Sequence, residues 1–313
     1  MRLLLIVFIM SLMTTISYAR DQIKIVGSST VYPFSTVVAE RFGKSGNKTP
    51  VIESTGTGGG MKLFCAGIGV NTPDMSNASR KIKPKEVKLC KDNGVTEITQ
   101  VIVGLDGIAF TSSVKGKSYN FTKEHLWQAM SDLGSKPTKW SDIDPSLPDY
   151  KIAILTPPAT SGTRDAWNSL VMKKGCPEEI LKEQGKKACY MLREDGAVIE
   201  VGENDTLIIN KLVGEPTYFG IFGFSYYDNS KDKVQAHLIE DKKISLKSIQ
   251  DGSYPISRPL YFYVKDQHIG VIPGVEEYVK EFTSKRAAGP RGYLLDLGLV
   301  PLKSLKESIS KVN

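Results

Sequence analysis

Four times in this chain a short apolar run stops in a small, hydroxyl-rich turn that opens a helix or a crossing strand, and no other feature limits the fold as strongly. Residues 22–27 alternate polar and apolar and end on glycine. Ser28-Ser29-Thr30-Val31-Tyr32-Pro33 follows, with Phe34, Val38 and Phe42 at helical spacing behind it. A second strand, 51–53, enters Ser54-Thr55-Gly56-Thr57-Gly58-Gly59-Gly60, and a helix is expected from Met61. A third ends in Asp74-Met75-Ser76-Asn77-Ala78-Ser79-Arg80, before Pro84 and a helix over 86–92; a fourth, 97–103, reaches Gly104-Leu105-Asp106-Gly107. The alternation predicts an α/β fold of mixed, mostly parallel sheets with helices on both faces. Ligands of such sheets sit beyond the carboxyl ends of the strands.

The turn at 159–165, Ala-Thr-Ser-Gly-Thr-Arg-Asp, adds chemistry to this pattern. It can aim the hydroxyls of Ser161 and Thr163, the free N–H groups of a helix start and the Arg164 guanidinium at one point, which suits a tetrahedral oxyanion. The same segment also fits a plain N-cap. The glycines at 56–60 let backbone approach an anion closely, yet they match neither a P-loop nor the dinucleotide fingerprint.

Nucleophilic catalysis finds little support. Gly-x-Ser-x-Gly is absent, and His125, His237 and His268 are far in sequence from the serine-rich turns and are expected at the surface. Glu178-Glu179 and Glu276-Glu277 read as solvated pairs. The cysteine and histidine spacings fit no zinc site, so no metal or cofactor is expected. A net charge of +7 is spread as single lysines, without the arginine stripe or aromatic interleaving of a nucleic-acid binder. That balance can still steer small anions inward.

Residues 1–19 have an early Arg2, an apolar run over 3–12 and Ser17-Tyr18-Ala19 as a small-x-small exit, the pattern of a secretory signal peptide too short to span a membrane. Export suits disulfides. Cys65, Cys90, Cys176 and Cys189 allow three pairings, of which Cys65–Cys90 and Cys176–Cys189 close short loops and are favoured. About 290 residues remain after cleavage, enough for two lobes.

Taken in order and spacing, the turns at 27–33, 54–60, 78–80 and 161–165, with Asp106-Gly107-Ile108-Ala109 and Tyr218-Phe219-Gly220-Ile221-Phe222-Gly223, resemble the periplasmic phosphate-binding proteins of ABC transporters. The resemblance implies a type II periplasmic-binding-protein fold, two α/β lobes joined by two crossover strands. Lobe one would hold 20–104 plus 258–313 and lobe two 105–257. The first crossover would lie near 101–106 and the return strand over 260–264, with Trp140 in the core of lobe two. It implies a monomeric periplasmic receptor rather than an enzyme, which buries inorganic phosphate in the interlobe cleft and hands it to ABC permease subunits in the inner membrane. By position, Ser29 and Thr30, with the Val31 N–H one residue on, Thr57, Ser79, Ser161, Gly162 and Thr163 would hold the anion. Two departures stand out: Arg80 replaces an aspartate of the family pattern, and Pro157 replaces an arginine. Arg80 and Arg164 are then expected to supply the charge. Asp106 would accept a proton-bearing phosphate oxygen and so discriminate against sulfate. A receptor for sulfate or a phosphonate, and an exported serine-dependent phosphohydrolase, are the other readings.

Overall fold

In the computed structural model, residues 20–202, 205–305 and 308–312 are described; the signal peptide expected over 1–19 lies outside them. Strand β1 (Lys24–Gly27) buries Ile25 and Val26 and pairs in parallel with β2 (Val51–Ser54) on one side and β3 (Met75–Ala78) on the other. Parallel neighbours need crossovers, supplied here by α1 (Tyr32–Lys44) and α2 (Gly56–Phe64). Phe34, Val38 and Phe42 form the buried face of α1, as their spacing predicts.

Helix α2 begins five residues before Met61, so the glycines expected to form a loop are its first turns. Tertiary contact overrides helix propensity. A Cβ on Gly60 would lie 2.4 Å from Gly27 Cα, so only glycine lets this helix rest on β1. After α3 (Pro84–Asp92), strand β4 (Ile98–Ser113) runs for 16 residues straight through Gly104 and Gly107, where the sequence pattern suggests a break. Those glycines are close-packing points. An added Cβ would sit 2.6 Å from Leu299 Cδ1 at Gly104 and 2.4 Å from Ile249 Cδ1 at Gly107.

The second half follows with β5 (Asn120–Phe121), α4 (Lys123–Met130), β6 (Ile154–Thr156), α5 (Gly162–Trp167), β7 (Val198–Glu200), β8 (Phe219–Gly223), β9 (Val234–Ala236) and β10 (Leu238–Ile239). The chain then returns along β11 (Ser257–Lys265) and ends in β12 (Ile309–Lys311). The sheet order is β2-β1-β3-β11-β4-β8-β6-β7, with β9 and β12 also on β4. Each half keeps a parallel core, and among the described strands every antiparallel pairing of the large sheet involves β4 or β11. These two strands cross between the halves side by side, pairing Ser257–Gly107, Arg258–Asp106, Pro259–Leu105 and Leu260–Gly104.

The fold is two-lobed. One core gathers Ile25, Val38, Phe42, Val101, Phe262 and Tyr278. The other centres on Phe110, Phe121, Trp140, Trp167 and Phe219, whose rings meet at 5.0–5.9 Å. Cys65–Cys90 joins the end of α2 to α3, and Cys176–Cys189 closes a loop of the second half. Two histidines contradict their expected surface role. His237 is buried among these rings, its Nδ1 accepting from Tyr119 N at 3.2 Å. His268 is buried in the first half, 2.5 Å from Asp74 Oδ1 and 2.9 Å from Ile68 O. Polar neighbours in sequence do not reveal burial when the partners come from distant segments. Among the described residues no helix is long and apolar enough to cross a membrane.

Candidate functional site

The carboxyl ends of β1, β2 and β3 open on a cavity of about 630 Å³ between the two halves. Ser29, Thr57, Ser79 and Arg80 line it from the first half, Asp165 and Ser169 from the second. Thr57 Oγ1 and Ser79 Oγ are 3.1 Å apart, and the Ser79 amide donates to Thr57 Oγ1 at 3.1 Å. The second and third turns therefore present their hydroxyls together.

Helix starts point the same way. Val31 and Thr55 precede α1 and α2 without a side-chain cap, and neither helix has an acidic residue in its first turn. Some other helix starts carry a cap: Glu86 accepts at the start of α3, and Ser161 Oγ accepts from Thr163 N at 3.2 Å at the start of α5. The uncapped start of α2 lines the cavity with Gly56, Thr57 and Gly58 and leaves N–H donors and a positive dipole end for an anion, while the turn before α1 brings Ser29 to the same wall.

The residue that ties the halves together was missed in the sequence. Arg258, at the start of β11, donates from Nη2 to Thr30 Oγ1 at 3.0 Å and from Nη1 to Ser169 Oγ at 3.2 Å. Its Nε lies 3.5 Å from Asp106 Oδ2, an ion-pair distance at which neither atom has a hydrogen-bond partner. Asp165 Oδ2 is 3.8 Å from Nη2. Burial holds the Asp106 carboxyl above the usual carboxylate range, against the opposing pull of Arg258, with the Asp165 charge adding to the rise. The available signal was an arginine near the start of a strand whose middle, residues 259–264, carries no charge, a position that needs partners wherever it is buried.

The structure distributes the expected site residues unevenly. Ser29, Thr57, Ser79 and Arg80 line the cavity. Thr30 closes its side, donating from Oγ1 to Gly162 O at 3.2 Å, so the first and second halves touch there. Val31 is fully buried at the start of α1. Ser161, Gly162, Thr163 and Arg164 do not line the cavity. Arg164 instead donates from Nη1 to Pro157 O at 3.1 Å, beside Glu200, and its burial disfavours the charge. Arg80 is held by Glu86 through bonds of 2.7 and 2.9 Å, so its charge is largely spent on a neighbour. Asp106 stands behind Arg258 rather than in the lining. The two arginines expected to supply the charge thus turn to other partners, and Arg258 occupies the position that faces both halves.

A model of the PBP superfamily domain matches residues 14–286. The chain belongs to the PBP superfamily. Among curated proteins, the phosphate-binding protein PstS of Staphylococcus epidermidis is 30% identical over 293 residues, 90% of this chain and 80% of that protein. Protein SphX of Synechococcus elongatus is 30% identical over 249 residues, 77% of this chain and 67% of its own length. This PBP protein also superimposes on a possible phosphate-binding protein of Planctomyces limnophilus with a TM-score of 0.74. Identity there is 27%, and the match covers 91% of this chain and 95% of that one. The four-turn resemblance in the sequence and these likenesses point to one family, that of the PstS proteins.

Proposed function

We propose that this protein is an extracytoplasmic receptor that binds inorganic phosphate between its lobes and delivers it to an ABC permease. The observation that carries this reading is the convergence of the uncapped start of α2, Ser29 of the turn before α1, the Thr57–Ser79 hydroxyl pair and Arg258 on one interlobe cavity. An oxyanion there would take amide and hydroxyl donors from the first half. It would take charge from Arg258, which binds a hydroxyl of each half. The related phosphate-binding protein PstS of Staphylococcus epidermidis supports the same ligand.

The lobes of this reading are 20–104 with 258–313, and 105–257. They close by bending at the paired crossover strands, bringing Thr30 onto Gly162. Asp106 acts through Arg258, holding its guanidinium in place rather than receiving a phosphate proton itself. The chain works as a monomer and performs no chemistry on its ligand. Among the described residues, no histidine lines the cavity beside Ser29, Thr57 and Ser79: His237 and His268 are buried on other partners, and His125 lies 3.7 Å from Asp144.

Calorimetry of the mature protein with orthophosphate and sulfate, alongside a general phosphatase assay, tests the proposal. Tight one-to-one phosphate binding without turnover is expected. Absence of phosphate binding, or turnover abolished by Ser79→Ala, would overturn it.

A further inference from the structure

The cavity is much larger than one small oxyanion requires. At about 630 Å³ it falls within the size range of pockets for organic ligands. A five-atom tetrahedral anion fills roughly two to three water volumes, about 60–90 Å³. The excess space lies under a concentration of positive charge. Lys81 and Lys83 reach the lining from the first half, Lys173 and Lys186 from the second, with Asp165 as the carboxylate among them. An adjoining hollow of about 360 Å³ shares Lys83 and Lys186 and adds Lys62 and Lys85. The carboxylate of that hollow, Glu86, is already held by Arg80.

These lysines differ from others on the surface. Lys88, Lys182 and Lys280 each pair with a carboxylate one helical turn away. Among the described residues, no carboxylate lies within ion-pair distance of Lys62, Lys81, Lys83, Lys173 or Lys186. Lys83 and Lys186 belong to opposite halves yet sense each other. The Lys83 ammonium is held below the ordinary lysine range, first by the Arg80 charge and then by burial, with Lys85 and Lys186 adding repulsion and Glu86 opposing. Like charges facing each other across a cleft are costly until a negative group stands between them.

We propose that the mouth of the cleft, between Lys83 of the first lobe and Lys186 of the second, is a second anion subsite that lets the protein take ligands with two linked phosphoryl groups. This rests on the phosphate reading of the inner site: one phosphoryl group occupies that site, and the second reaches the lysines. Inorganic pyrophosphate and organic diphosphates share the chemistry required.

The test is calorimetry on the mature wild type and on a K83Q/K186Q variant, at one ionic strength, with orthophosphate, pyrophosphate and a nucleoside diphosphate. Pyrophosphate should bind the wild type one-to-one and compete with orthophosphate. The double substitution should weaken pyrophosphate about tenfold or more, as expected for loss of charge-assisted bonds. Orthophosphate should change less than about threefold, through screened long-range attraction alone. Binding of the nucleoside diphosphate would extend the subsite to organic ligands; its exclusion would restrict the subsite to inorganic ones. Orthophosphate binding without pyrophosphate binding would overturn the subsite and leave the receptor reading intact. So would equal weakening of both anions in the variant, since that marks a general field. If orthophosphate itself fails to bind, the receptor reading falls, and variant-sensitive pyrophosphate binding still supports the subsite.

Discussion

Arg258 and Asp106 are directly opposed partners on the two strands that cross between the lobes, with Nε 3.5 Å from Oδ2. The guanidinium is anchored on the carboxylate behind it, and its remaining nitrogens reach Thr30 in one lobe and Ser169 in the other. One side chain on the connection between lobes therefore registers both of them.

Arg258→Lys should bind phosphate well below wild-type affinity even though it keeps the charge. A single ammonium cannot reach both hydroxyls in the fork geometry of the guanidinium. Charged hydrogen bonds contribute about 1.5–3 kcal/mol each, so losing one predicts a drop of about tenfold or more. Arg258→Ala should fall further still. Titration calorimetry of the three proteins checks this order, and wild-type affinity in Arg258→Lys would contradict it.

The raised pKa of Asp106 fixes a sign. A carboxyl that holds its proton more tightly in the folded state contributes stability that is present at low pH and lost as pH rises through the folded value. Asp106→Asn lacks that loss. Its melting temperature relative to wild type should climb as pH rises above the ordinary aspartate range of about 4. Thermal melts from acid to neutral pH measure the slope. If Asp106 serves Arg258 rather than the ligand, the same variant should change phosphate and sulfate affinities alike. A selective gain for sulfate would put the carboxylate on the ligand.

Gly162→Ala should impair binding without unfolding either lobe. An added Cβ would meet Thr30 Cα at 2.6 Å and Thr30 N at 3.1 Å, and backbone cannot yield as a flexible side chain does. The clash falls between lobes, so the closed arrangement is lost while each core is untouched. Small-angle scattering with and without phosphate should show no ligand-dependent compaction, with melting near wild type.

His237 makes a second pH prediction. Burial pushes its pKa down to about 3, far from that of an exposed imidazole. A base with a depressed folded value contributes stability that is present above its unfolded value of about 6.5 and lost as pH falls toward the folded one. The imidazole resonance of His237 should stay in its neutral position throughout that window, while the melting temperature declines.

The disulfides Cys65–Cys90 and Cys176–Cys189 span 25 and 13 residues. Loop-closure entropy then gives each roughly 3 kcal/mol of stabilisation. Reduction, or a Cys65→Ser/Cys90→Ser variant, should lower the denaturation midpoint by a corresponding amount.

The strand-turn-helix rhythm was legible because each element declares itself locally: Phe34, Val38 and Phe42 mark one face of α1 whatever they pack against. The glycines misled for the opposite reason. Gly60, Gly104 and Gly107 look like flexible loop residues, but their role is set by Gly27, Leu299 and Ile249, none of them near in sequence. At the site, hydroxyl-rich turns announced Ser29, Thr57 and Ser79. Arginine partners could not be read the same way, because a guanidinium at the end of a long side chain takes whichever carbonyl, carboxylate or hydroxyl the fold brings within reach. Arg164 found Pro157, Arg80 found Glu86, and Arg258 found Thr30 across 228 residues.

The crossover ladder from Ser257–Gly107 to Leu260–Gly104 has a mechanical consequence. Sliding one lobe lengthwise past the other would break those rungs together, whereas a swing only flexes them. Two independent tethers would permit twist, shear and rocking alike. Stitched into a single ribbon, they favour a swing over a slide, so a door-like opening is the movement this connection opposes least.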